Sequence, residues 1–111
     1  MLTIDGLRAF GANVDEGLAR CMNNEGFYLR MVGMVLNDAN FEKLSQAVHA
    51  GDLDAGFEAS HALKGVLANL SLTPMQNLAS EMCELFRSRT QMDYAPMLAQ
   101  LLAKREELAA L

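Results

Sequence analysis

A chain of 111 residues with a hydrophobic fraction of 51% and a formal charge of -5 has the length of a single domain, residues 1–111, that can build an apolar core without disulfide or metal staples. The acidity argues against a general nucleic-acid binder, and Cys21 and Cys83, which show no metal-ligand spacing, read most simply as reduced thiols. The opening Met-Leu-Thr-Ile-Asp has no basic segment or long apolar stretch, and no run approaches the roughly 20 apolar residues needed to span a bilayer, so the expectation is a soluble, cytoplasmic protein without membrane or nucleic-acid partners.

Residues of about 3–22 read as two short N-terminal helices. Thr3 to Phe10 ends near Gly11, and Asn13 starts the second helix, with Glu16 completing something close to a capping box. Together they are expected to form a lid across one end of a main bundle of about residues 25–110. From Glu25 to Leu36 the residues Phe27, Tyr28, Leu29, Met31, Val32, Met34, Val35 and Leu36 predict a helix apolar over most of its circumference, which belongs in the interior or against two neighbours. Asn37, Asp38 and Asn40 mark a turn, after which Phe41, Leu44 and Val48 keep helical spacing to about His49. Gly51 is a left-handed stop, followed at once by a cap at Asp52, and so short a connection makes the flanking helices antiparallel.

The helix from Asp52 to Leu70 organises the chain. At about 3.6 residues per turn, Leu53, Ala59, Ser60, Leu63, Val66, Leu67 and Leu70 share a core-facing stripe, and His61 points almost the opposite way. One turn beyond His61 stands Gly65 and two turns beyond stands Ala68, neither with a side chain large enough to shield an imidazole. Lys64, three positions on, is a surface neighbour that can bring an ammonium close. A glycine inside a helix costs roughly 1 kcal/mol against alanine, so Gly65 points to a need for bare backbone, such as the approach of a partner protein. Phe57, one turn before His61, lies between the apolar stripe and the histidine; it reads as a core-edge residue and, with Ala68, as a candidate part of a partner's footprint.

Beyond Leu70, Thr73-Pro74-Met75-Gln76 reads as a capping box with proline in the first turn. Met75, Leu78, Ala79, Met82, Leu85 and Phe86 form the next stripe, Ser88 to Asp93 is a break, and Tyr94, Met97, Leu98, Leu101, Leu102 and Leu108 define the last helix. Lys104, Arg105, Glu106 and Glu107 read as its solvated face. No alternating strand pattern occurs. The predicted fold is all-α: an antiparallel four-helix bundle with additional short N-terminal helices.

The string His61-Ala62-Leu63-Lys64-Gly65, continued by Ala68, Asn69, Leu70, Ser71 and Leu72, resembles the signature of the histidine-containing phosphotransfer (HPt) domain. Ala68 and Ser71 stand where the commonest form of that signature has glycines. The resemblance implies a helical bundle and a phosphorelay intermediate of two-component signalling, with His61 as phosphoacceptor, Lys64 as electrostatic assistant and Gly65 giving steric access. It also implies the partner, a response-regulator receiver domain, among whose candidates is that of a hybrid sensor kinase. That partner supplies an aspartyl phosphate and a bound magnesium ion, so this chain is expected to hold no cofactor itself. A single exposed site on a complete bundle suggests a monomer.

Other readings were weighed on the residues. Neither a Walker-type Gly-x-x-x-x-Gly-Lys sequence nor a second, nucleotide-holding domain is present, so no ATP-dependent kinase activity is assigned. Glu58 and His61 have the Glu-x-x-His spacing of di-iron bundles, which need a second such pair and two further carboxylates; His49 is preceded by Gln46, so no metal site is assigned and His49 reads as a last-turn residue. The dimerisation domain of a sensor kinase is disfavoured because Ala62, not an acidic residue, follows His61. The eight methionines read as flexible core filler. The alternative from a different class is a non-phosphorylated helical interaction module.

Overall fold

In the computed structural model, which describes residues 1–111, the chain forms seven helices and no strand: α1 (Ile4–Phe10), α2 (Val14–Arg20), α3 (Glu25–Val35), α4 (Ala39–Ala50), α5 (Leu53–Asn69), α6 (Thr73–Arg87) and α7 (Ala95–Ala109). Most start where a short polar side chain can take an unpaired amide of the first turn. Thr3 accepts from the Gly6 amide at 2.9 Å, Asn24 from Phe27 at 3.0 Å, Asp38 from Asn40 at 2.8 Å and Asp52 from Ala55 at 3.0 Å, each such cap contributing about 1 kcal/mol. Gly11 (φ 107°) and Gly51 (φ 69°) close α1 and α4 in the left-handed conformation.

The start of α6 departs from expectation. Thr73 is its first residue, not its cap; Leu72 occupies the cap position with no side-chain bond, and Thr73 Oγ1 donates instead to the Ser71 carbonyl at 3.3 Å. The reason lies in how α5 ends. The Ser71 amide donates to Ala68 and the Leu72 amide to Leu67, both at 3.0 Å, with Ser71 left-handed at φ 54°. This paired closure consumes the connecting residues and buries Leu72 completely, so α6 begins directly from it. Pro74 does fall in the first turn, where no donor is needed.

Helices α4, α5, α6 and α7 form the bundle, each packed against its neighbour in sequence and α7 packed back onto α4. Short connections between packed neighbours make them antiparallel. All seven helices feed one apolar core, which includes Leu7 and Phe10 from α1, Val14 from α2, Tyr28 and Val32 from α3, and the facing stripes of the bundle. Because the α4–α7 contact closes the ring, α3 has no place inside it. It buries only Tyr28, Val32 and Val35, while Met34 is 61% and Phe27 40% exposed; of the two placements foreseen, in the interior or against neighbours, α3 takes the second, packed on α2 and bonded through Tyr28 to the end of α5.

Arg105 is a second correction. Its guanidinium is half-buried, donates to the Leu36 carbonyl and stands 4.7 Å from the centre of the Phe41 ring. The solvated face foreseen for α7 therefore contains a clasp that holds the end of α3 against α4 and α7.

Helix α1 packs against α2 and α7, and α2 is tied to the α5–α6 turn. Asn13 caps α2 by accepting from the Glu16 amide at 3.3 Å, as foreseen, but its backbone amide donates to the Ser71 carbonyl at 2.9 Å, and the Glu16 carboxylate accepts from the Asn13 side-chain amide at 3.1 Å instead. Arg20 reaches across to the Ala68 carbonyl at 3.0 Å and to Ser71 Oγ at 2.7 Å while paired with Glu16 at 2.7 Å; Ser71 Oγ in turn donates to Glu16 at 3.1 Å. These bonds hold the Glu16 carboxyl below the usual carboxylate range, the Arg20 bond contributing most. Behind them, the buried Tyr28 hydroxyl donates to the Leu70 carbonyl at 2.7 Å, and its ring lies where a Cβ on Gly17 would stand only 2.6 Å from it.

Candidate functional site

Two features of α5 determine how His61 is presented. The first is the lean of helical side chains toward the N-terminus, which carries a side chain back over the residue four positions earlier. For His61 that residue is Phe57. The two rings stack with centroids 5.5 Å apart and planes 15° from parallel, within the range of offset aromatic pairs. The second is the absence of anything on the other side. Gly65 is exposed, and a Cβ built on it would meet no atom within 4 Å. Packing and backbone conformation therefore give no reason for a glycine there.

The histidine itself is exposed on a helix that is otherwise well seated. Ser60, immediately before it, is fully buried with its hydroxyl donating to the Gly56 carbonyl at 2.7 Å. Lys64 is half-buried and enters none of the ion pairs, so its charge is available to an incoming anion. Ala68 is half-buried and sits apart from this group, at the C-terminal turn where Arg20 takes its carbonyl. His61, Lys64 and Gly65 thus share one exposed stretch of α5, Phe57 touches the imidazole directly, and Ala68 borders the N-terminal helices.

Three residues of this neighbourhood were not singled out from sequence. Arg87 of α6 places its guanidinium carbon 5.1 Å from the centre of the Phe57 ring and pairs with Glu84 at 3.3 Å. Arg20 fixes the turn after α5. Gly56 is buried directly against α6, where a Cβ would stand 2.5 Å from Phe86 Cε1. The signal for Gly56 was present, since it falls on the core stripe with Ala59, Ser60, Leu63 and Leu67. No local pattern announces Arg87 or Arg20, whose contacts cross between helices.

No three histidine, cysteine, aspartate or glutamate side chains come together as a metal-ligand group, so Glu58 and His61 remain a pair without the further donors a di-iron site requires. Cys21 and Cys83 are both buried and unbonded. No helix is long and apolar enough to cross a membrane.

Residues 31–111 match the family model of the Hpt domain. The chain belongs to the Hpt domain family. The match takes in α4 to α7 entirely and begins at Met31, inside α3, leaving α1, α2 and the first half of α3 outside it. No curated protein and no solved structure matches the chain. The Hpt family serves histidine phosphotransfer in two-component phosphorelays, and its members interact with response-regulator receiver domains. His61, Lys64 and Gly65 all fall inside the matched part of this Hpt domain.

Proposed function

We propose that this Hpt domain is a phosphorelay intermediate that accepts a phosphoryl group on His61 from the aspartyl phosphate of a receiver domain and returns it to such an aspartate. The observation that carries this reading is the open space in front of His61: an exposed imidazole with no atom above the neighbouring Gly65 to obstruct a docking protein. A neutral imidazole has a ring-nitrogen lone pair to offer. The lone pair of a ring nitrogen attacks phosphorus; the nitrogen–phosphorus bond forms, the bond from phosphorus to the aspartyl oxygen breaks, and the carboxylate leaves with its electrons. The reverse step regenerates the imidazole.

Such transfer depends on positioning and charge neutralisation more than on covalent chemistry by the protein. In this reading Lys64 supplies one positive charge to the moving phosphoryl oxygens. A magnesium ion on the receiver, as the family resemblance implies, would neutralise further phosphoryl charge.

The test is incubation of the purified protein with phosphorylated receiver domains, following acid-labile, alkali-stable phosphate on the wild type and on His61→Gln. Label on the wild type alone is the expected result, with the variant's stability within about 0.5 kcal/mol of wild type because the site is exposed. Lys64→Ala should slow labelling without preventing it. A folded protein that takes no label from any receiver would instead favour an interaction module that binds without transfer.

A further inference from the structure

We infer that Phe57 is a positioning residue for phosphoryl transfer: its ring, in contact with both the Arg87 guanidinium and the His61 imidazole, fixes the plane in which the acceptor nitrogen is presented. The inference rests on the reading of His61 as the phosphoacceptor.

An exposed side chain on a helix ordinarily moves among several rotamers. No side chain stands one turn C-terminal to His61, because Gly65 has none. The ring contact it makes is on the N-terminal side, through the near-parallel stack on Phe57. For that stack to fix anything, Phe57 must itself be fixed. It is half-buried and packs against the core cluster, and Arg87 covers it from the neighbouring helix at 5.1 Å, inside the range of a cation–π contact.

The register of α5 on α6 creates this arrangement. Gly56 lacks a Cβ where Phe86 lies closest, so the two helices approach tightly at that level. The next residue along each helix is then Phe57 on one side and Arg87 on the other, and these meet at the rim of the contact. Phe86 is held in turn by Tyr94, whose ring centre is 4.1 Å away. The order extends from the buried core, through the Gly56–Phe86 contact and the Phe57–Arg87 pair, to the imidazole.

The consequence for transfer is directional. A ring-nitrogen lone pair lies in the plane of the imidazole, and in-line attack on phosphorus requires that plane to contain the attacking direction. The near-parallel stack sets the plane of the imidazole by the plane of the Phe57 ring. Fixing the plane before docking removes rotational freedom that would otherwise be lost during the reaction, so the effect belongs in the rate of the bound complex and not in its affinity.

The experiment measures the rate of labelling against receiver concentration for wild type, Phe57→Leu, Phe57→Tyr and Arg87→Gln, together with the His61 ring resonances of each unphosphorylated protein. Leucine keeps apolar volume against the core but offers no face. Phe57→Leu should lower the saturating rate about tenfold while leaving the half-saturating receiver concentration within about twofold, and the His61 ring signals should shift and show faster ring motion. Phe57→Tyr should restore both the rate and the signals, and Arg87→Gln should move them in the direction of leucine by less. A wild-type saturating rate in Phe57→Leu, or a change confined to the half-saturating concentration, would overturn the inference, the second result making Phe57 a docking contact. A wild type that takes no label from any receiver overturns the reading of His61 and this inference with it.

Discussion

Gly56 and Gly65 stand about two and a half turns apart on α5, and their surroundings are opposite. Gly56 is buried under the Phe86 ring, where a Cβ would stand 2.5 Å from an aromatic carbon; Gly65 is exposed, with nothing within 4 Å of the same hypothetical atom. Both cost helix stability relative to alanine. At Gly56 the close approach of α6 offsets that cost. At Gly65 no contact within the fold does, which supports the proposal that the residue serves the approach of a partner to His61. A glycine is evidence of function only after packing and positive φ have been excluded as its cause.

The largest effect should come from filling the buried position. Gly56→Ala pushes its methyl group into a Phe86 ring that is 2% exposed and stacked on Tyr94, so neither ring has room to retreat. Overpacking of this kind costs about 1–3 kcal/mol, and denaturant unfolding should show a loss of at least that size, offset only slightly by the helix preference of alanine. A variant as stable as wild type would mean that α6 can slide on α5, and the contrast between the two glycines would lose its packing half.

The exposed position should respond with the opposite sign. Gly65→Ala is expected to raise stability by up to about 1 kcal/mol, and Gly65→Leu to be no less stable than wild type, while labelling of the leucine variant by a phosphorylated receiver falls at least about tenfold. Stability and transfer would then move in opposite directions at one residue. Transfer unchanged in Gly65→Leu would show that the partner does not approach over this stretch of backbone and would break the functional half of the comparison.

These two glycines also show what the sequence carries. Helical spacing, the caps at Asn13 and Asp52, the end of α1 near Gly11 and the left-handed stop at Gly51 are local signals, written within a few residues of where they act, and the structure bears them out. The outward aim of His61 follows from the same periodicity. What was not legible is interhelical. The Arg87–Phe57–His61 stack needs the register of α6 on α5, and the Arg20 bonds need α2 placed against the turn after α5. For α3 the apolar circumference left two placements open, the interior or a site against neighbours, because it does not reveal whether the other helices have already closed the core. The Thr73 capping box failed because the preceding helix closes through the same residues. Arg105 appeared solvated because its stem and charge were assigned to a face by spacing alone, without the Leu36 carbonyl that folding brings to it.

Ser71 sharpens the comparison at the end of α5, and with the smallest expected effect. It holds a left-handed conformation at φ 54°, a position that suits glycine and that Gly11 and Gly51 fill at the ends of α1 and α4. A serine there is strained by about 1–2 kcal/mol, and its hydroxyl is tied to Arg20 and Glu16, so here the fold accepts backbone strain while gaining side-chain bonds, the reverse of Gly65. The Glu16 carboxyl, held below its usual range first by the Arg20 bond and then by Ser71, gives that arrangement a pH signature. A lowered folded pKa means that its contribution is whole above the unfolded value of about 4.3 and disappears as pH falls through the lower folded value. The stability difference between wild type and Glu16→Gln should therefore be constant from neutral pH down to about pH 5 and close below it, and Ser71→Gly should narrow it by removing the second bond. A difference that persists undiminished into strong acid would mean that the shape of the glutamate, and not its charge, ties α2 to the end of α5.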